Sequence, residues 1–360
     1  MTSGLDDVIA AETVLSEVDG QGGHLTIRGH ALRDLAGRRD FASVTHLLFD
    51  GFFTDLPNEK QLAARLGRAR VEVFERVQAL LPTLAALSVY DGMRAGTALM
   101  PDGDTLDDAL RLIAAPAVLT PALLRLRKGL DAIAPNADAG HAADMLAMLT
   151  DTDERGLSAA LDTYLVTVCD HGLNASTFAA RVVASTQAGL TSAALAGLGA
   201  LKGPLHGGAP GPVIAMLDAI AEAGEATEWL SRELAEGRRI MGFGHRIYRV
   251  RDPRADVLKT VVRRIPDGAA SRRLAFAETV EQAALDVLRR AKPGRVLQTN
   301  VEFYTALLLE AAEFPEDAFT CVFAAGRMAG WIAHAREQQA TGRLMRPQSR
   351  YIGPVPDLVA

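Results

Sequence analysis

A chain of 360 residues with 49% apolar and 23% charged side chains has ample material for a core of two-domain size, which excludes wholesale disorder. Its formal net charge of −6 argues against a general nucleic-acid binder and against a basic membrane-surface protein. Two isolated cysteines, Cys169 and Cys321, are too few for a disulfide framework or a four-cysteine zinc site. With acids at the N-terminus where a secretory leader would carry basic residues, they point to a reducing, cytoplasmic setting.

In chain order, the first predicted element is a short strand at 23–29, His24-Leu-Thr-Ile-Arg28 between glycines, apolar at alternate positions and compatible with a small hairpin. Helical periodicity then dominates, with apolar residues at three- and four-residue steps over 59–81, 105–113, 154–168, 214–223, 271–290 and 319–339. The uncharged stretch 182–201 reaches membrane-spanning length. Its Ser185, Thr186, Gln187, Thr191, Ser192 and three glycines instead predict a buried, closely packed helix. Punctuation is heaviest at 202–212, where three prolines and four glycines fall within eleven residues, and further breaks lie at 292–300 and at Phe314-Pro315. The expectation is an all-α protein of two domains. Residues 1–210 plus 314–360 form the larger, and 211–313 an inserted smaller one, with the glycine-proline segment as hinge.

Four segments carry chemistry. Gly203-Pro-Leu-His206-Gly207-Gly208 sets an ionisable ring on a close-approach loop. Pro210 and Pro212 suit the first turn of a following helix, whose positive end would keep His206 neutral. A tight turn with a histidine capping backbone fits the same residues. Gly242-Phe-Gly-His245-Arg-Ile-Tyr-Arg249, with Asp252-Pro253-Arg254, groups arginines around a histidine, the pattern expected for an anionic ligand held by bidentate contacts, or for a solvated basic turn. Asp170-His171-Gly-Leu-Asn174-Ala-Ser176-Thr177 places polar groups around a third histidine. Cys169 lies two residues from His171 and on a helix would point elsewhere, so a thiol–imidazole pair is not expected. Asn300-Val-Glu302 offers a carboxylate at the start of an apolar helix, a place where an acid is also favourable by charge alone. No histidine pair has helical ligand spacing, so no metal is expected.

In this order the four segments resemble the citrate synthase family, whose signature is a Gly-Pro-Leu-His-Gly-Gly loop, a Gly-x-Gly-His-x-x-x-Arg loop and an Asn-Val-Asp/Glu turn. The resemblance spans nearly the whole chain, from Gly4-Leu-Asp-Asp-Val to Arg346-Pro-Gln-Ser-Arg-Tyr-Ile-Gly-Pro354. It implies an all-α homodimer whose small domain closes over oxaloacetate and then admits acetyl-CoA, a co-substrate rather than a permanently bound cofactor, with neither nucleic acid nor membrane as partner. By that match His206 would hydrogen-bond the thioester oxygen, Glu302 would take the methyl proton and His245 would polarise the ketone. His171, Arg254 and Arg327 would bind oxaloacetate, and Arg346 would reach it across the dimer interface. Arg249, Lys292 and Arg295 would meet the phosphates of coenzyme A. The implied alternatives are a 2-methylcitrate synthase using propionyl-CoA and a catalytically silent CoA-binding homologue. Three departures stand out: Glu302 where the family usually has aspartate, Gly172 where many members have glutamate, and Pro210-Gly211 in place of Asn-Glu.

Overall fold

The computed structural model describes residues 8–354 except 152–154, 209, 246–247, 249 and 266–268. Helices make up most of the described chain, as the periodicity predicts, and the strands form one small antiparallel sheet of order β1 (Ser16–Asp19), β2 (His24–Ile27), β3 (His30–Ala31). Ser16 pairs with Ile27 and Asp19 with His24, so Leu25 and Ile27 turn to the core while Thr26 stays half-buried. The predicted hairpin is therefore real and carries a third short strand.

Two helices, Leu106–Arg127 and Phe319–Thr341, organise the packing outside 211–313. Leu106–Arg127 starts with a capping box, in which Thr105 and Asp108 satisfy each other's backbone N–H. It packs against Glu59–Val77, Val89–Thr97, His141–Thr150 and Phe319–Thr341. The sequence reading ended this helix at 113. It continues through Pro116 and Pro121, because its middle is buried on all sides and the packing outweighs two lost hydrogen bonds. It is the one helix among the described residues long and apolar enough to cross a membrane, and it lies inside the fold.

The stretch 182–201 departs from expectation in the opposite sense. It is two helices, Ala175–Ala184 and Leu190–Leu201, separated at Gln187, which sits at φ +64, and at Gly189, the N-cap of the second. The two pack closely on each other and on Phe319–Thr341, where Gly197 lies flat against the Trp331 ring.

After the glycine-proline segment come Gly211–Ala223, Ala226–Ala235, Pro253–Val262, Ala269–Ala291 and Val301–Ala311, packed on one another. Pro253–Val262 and Val301–Ala311 also contact Arg155–Val168 of the larger part. The chain then returns through Phe314 and Pro315 into Phe319–Thr341, where Trp331 packs on Gly197 and the buried His334 meets Arg181 and Asp170.

Candidate active site

Two glycines set the geometry of the site. Gly242 and Gly244 both lie at φ +82, a conformation that costs glycine little, and a Cβ at Gly242 would meet the Phe303 ring at 2.8 Å. Between them Phe243 makes an isolated antiparallel bridge to Thr299. The Gly244 N–H donates to Gln298 O (2.7 Å), the Asn300 N–H to Gly242 O (3.0 Å) and Asn300 Nδ2 to Gly244 O (2.9 Å). The histidine loop and the acidic turn are thereby stapled together. His245 leaves one side of the staple, and on the other Asn300 caps Val301–Ala311 by accepting from the Glu302 N–H.

Asp252 adds a second link. Its Oδ1 accepts from the backbone N–H and Nε of Arg254, both at 3.0 Å, and its Oδ2 accepts from an Arg254 terminal nitrogen (2.9 Å) and from the Val301 N–H (3.1 Å). One buried carboxylate thus holds the buried Arg254 guanidinium and the start of the helix bearing Glu302. The turn expected at Asp252-Pro253 is a helix start with this added duty.

His245 Nδ1 accepts from the Tyr248 N–H (3.1 Å), so the ring proton resides on Nε2. That nitrogen lies 3.1 Å from an Arg254 terminal nitrogen, which can only donate. Two donors face one gap, an arrangement that an anionic or carbonyl oxygen would relieve. Burial, with help from Arg254 and against Asp252, lowers the His245 pKa to about 4. His171 packs edge-on to His245 at 5.8 Å between ring centres, and its Nε2 is 3.3 Å from the Tyr248 hydroxyl. Burial, then Arg254, Arg327 and His245, push its pKa well down. Both rings are neutral at physiological pH.

His206 occupies a loop held by Gly207, whose N–H donates to Leu201 O and whose carbonyl accepts from Thr320 Oγ1 (3.0 Å). A Cβ at Gly207 would meet Leu201 O at 2.4 Å. The His206 pKa falls to about 4, chiefly through burial and then through Arg327; the expected helix-end effect is not its leading cause. Its Nε2 lies 2.8 Å from Ser176 Oγ, which also accepts from Trp331 Nε1–H (3.1 Å) and donates its one proton to Asn174 Oδ1 (2.8 Å). With that proton on Asn174, Ser176 Oγ accepts from His206 Nε2–H; a hydroxyl that turns from Asn174 to Nε2 moves the ring proton to Nδ1, the group then offered to a ligand.

The half-buried Glu302 carboxyl is pushed up to about 7 by burial, against Arg254 and Arg327 and with Asp252 adding to the rise. Arg327 is buried, donates from Nε to Val168 O (2.6 Å) and lies over the Phe323 ring at 4.9 Å. It acts electrostatically on His171, His206 and Glu302.

Six sequence-chosen residues, His171, His206, His245, Arg254, Glu302 and Arg327, therefore converge. Lys292 and Arg295 are exposed on the turn before Gln298, and Arg346 is exposed beyond Phe319–Thr341, none of them against this cluster within one chain. Arg249 lies outside the described residues. Cys169 is buried with its thiol pushed up to about 12, unsuited to nucleophilic work. Among the described residues no cluster of histidine, cysteine and acidic side chains is arranged to hold a metal ion. The reading of the sequence passed over Tyr248 and Asp252 as partners; only the proximity of the arginines to Asp252 hinted at the second.

The citrate synthase, C-terminal domain, family model matches residues 4–348. The chain belongs to the citrate synthase family. It is 35% identical over 366 residues to the citrate synthase of Haloferax volcanii, covering 97% of this chain and 95% of that one. It is 34% identical over 364 residues to the 2-methylcitrate synthase of Mycobacterium tuberculosis, covering 97% and 90%. Among solved structures, the citrate synthase of Thermoplasma acidophilum in ternary complex with carboxymethyl coenzyme A and oxaloacetate superposes with a TM-score of 0.86 at 26% identity, covering 99% of this chain and 97% of that one. Family membership makes the chain an acyltransferase.

Proposed function

We propose that this chain condenses acetyl-CoA with oxaloacetate to give citrate and free coenzyme A. The observation that carries the reading is the staple between 242–244 and 298–300, which places a donor pair, His245 and Arg254, beside a carboxyl titrating near neutrality, Glu302. The ketone oxygen of oxaloacetate fits the gap where the two donors meet, and its carboxylates fit the buried arginines 254 and 327 and neutral His171. A thioester methyl group is a very weak acid, so Glu302 removes its proton only if the enolate oxygen is stabilised in the same step. His206 supplies that stabilisation from Nδ1–H once the Ser176 hydroxyl turns from Asn174 to Nε2. The enolate carbon then attacks the ketone carbon polarised by His245. Water hydrolyses the resulting citryl thioester and coenzyme A leaves as the thiol.

In this reading 211–313 is the domain that closes on the substrates, and Arg249, Lys292 and Arg295 take coenzyme A phosphates. Arg346, exposed in one chain, completes the site of a second chain in a homodimer. Mixed Arg346→Ala and His245→Ala subunits that exchange and regain activity would support the shared site; exchange without recovery would refute it. The Haloferax and Mycobacterium relatives lie at nearly equal identity, and one extra methylene in an acyl pocket is worth only about 1–3 kcal/mol, so acyl preference has to be measured. The test is thiol release from acetyl-CoA and propionyl-CoA, each with and without oxaloacetate. Release from acetyl-CoA only when oxaloacetate is present supports the reading, faster release from propionyl-CoA assigns the 2-methylcitrate reaction, and no oxaloacetate-dependent release from either sinks the condensation.

A further inference from the structure

A buried polar chain outside the reacting groups ends on Asp170 and Gly172, the residues on either side of His171. The Val14 N–H donates to Glu337 Oε1 (2.8 Å), and Glu337 Oε2 accepts from Arg181. Arg181 also donates to His334 Nδ1 at 2.9 Å. A guanidinium has no acceptor, so His334 Nδ1 must carry a lone pair and its ring proton must sit on Nε2. That nitrogen lies 3.2 and 3.3 Å from the two carboxylate oxygens of Asp170 and donates to them. Asp170 also accepts from Ser16 Oγ of β1, and Ser16 Oγ in turn accepts from the Gly172 N–H (2.8 Å).

His171 is thus flanked on both sides by clamped residues, Asp170 through its carboxylate and Gly172, at φ +63, through its N–H. A further element of the clamp is steric: a Cβ on Gly330, one turn before His334, would meet Cys169 O at 2.2 Å, so helix and loop are already in contact. His334 and Asp170 are both fully buried, and a buried network with all its members paired is rigid.

We infer that His334 is a positioning residue for oxaloacetate binding, acting through Asp170 to hold the His171 loop. The inference rests on the functional reading above, and its logic concerns the imidazole's two-sided character. Only a side chain that accepts from Arg181 and donates to Asp170 at once can replace it. Glutamine has both functions in one amide; leucine has neither and takes one hydrogen-bond partner from each of two buried charged groups.

The experiment compares wild type, His334→Gln and His334→Leu by steady-state kinetics and by hydrogen exchange of the peptide spanning 169–176. His334→Leu is expected to raise KM for oxaloacetate about tenfold, the scale of a lost hydrogen bond to a charged group, with kcat at saturating oxaloacetate changed less than about threefold, and to speed exchange in that peptide. His334→Gln is expected to restore both readouts to within about twofold of wild type. Equal damage in the two variants, or a better leucine than glutamine, would make His334 a packing residue and overturn the inference. So would unchanged exchange at 169–176 in His334→Leu. A wild type without oxaloacetate-dependent turnover would instead overturn the functional reading, while the exchange comparison would still decide whether His334 clamps the loop.

Discussion

The two sides of the site are built differently. Arg254, His171 and Arg327, the groups assigned to oxaloacetate, are buried and tied to fixed partners: Asp252 grips the first, Tyr248 meets the second and a backbone carbonyl takes the third. His206 and Glu302, assigned to the acyl group, are half-buried and tied lightly, one to Ser176 and the other through its backbone N–H to Asn300. Burial favours the neutral form of each titrating group, lowering His206 and His245 to about 4 and raising Glu302 to about 7. The anion side gains affinity from preorganised charge, whereas the acyl side keeps its reacting groups uncharged or close to exchange with a proton, as a base and a neutral hydrogen-bond donor require.

The sharpest way to break this comparison is Glu302→Gln, which keeps size and hydrogen bonding but removes the base. Turnover should fall by at least about a hundredfold, the lower range for general base catalysis, as followed by thiol release at saturating substrates. Glu302→Asp should not exceed wild type, because a site built around the longer arm draws the shorter carboxylate away from the methyl proton.

Next in size is Ser176→Ala. Losing the hydroxyl that sets the His206 tautomer should cost about tenfold in kcat, one hydrogen bond's worth, while KM for oxaloacetate stays put. A change confined to KM would move Ser176 to the anion side.

The pH dependence follows from the carboxyl. Glu302 must be ionised to act, so kcat/KM for acetyl-CoA should fall about tenfold per unit below roughly pH 7, with no limb from the neutral histidines above about 5. Stability moves the other way. A carboxyl whose folded pKa lies above its unfolded value is favourable while protonated, and its stabilisation is lost as pH rises from 4.5 through about 7. Glu302→Gln should therefore raise the melting temperature at pH 8 more than at pH 5. Equal shifts at the two pH values would place the carboxyl in a solvated setting.

How much of this could be read beforehand depends on what carried it. His206, His245, Arg254 and Glu302 stand in segments punctuated by glycine, proline or an Asn cap, where local sequence dictates backbone shape. The strand at 24–27 was legible from its alternation. Pro116 and Pro121 misled because the penalty of an internal proline is local, while the packing that overrides it comes from helices distant in sequence. The break at Gln187 had no strong local signal, since glutamine rarely adopts positive φ. The partners were hidden for a different reason. Tyr248 meets His171 across 77 residues, Asp252 meets Val301 across 49 and His334 meets Asp170 across 164, and only the completed fold brings such pairs together.

The most direct test of the division between the two sides is calorimetric titration of oxaloacetate into Glu302→Gln beside wild type. If Glu302 serves only the acyl group, the variant binds oxaloacetate with a Kd within about twofold of wild type, or tighter, because a negative charge near arginines 254 and 327 has been removed. A Kd weakened about tenfold or more would mean that the Glu302 carboxylate organises the anion side itself, and the division between a preorganised and a proton-poised half would not hold.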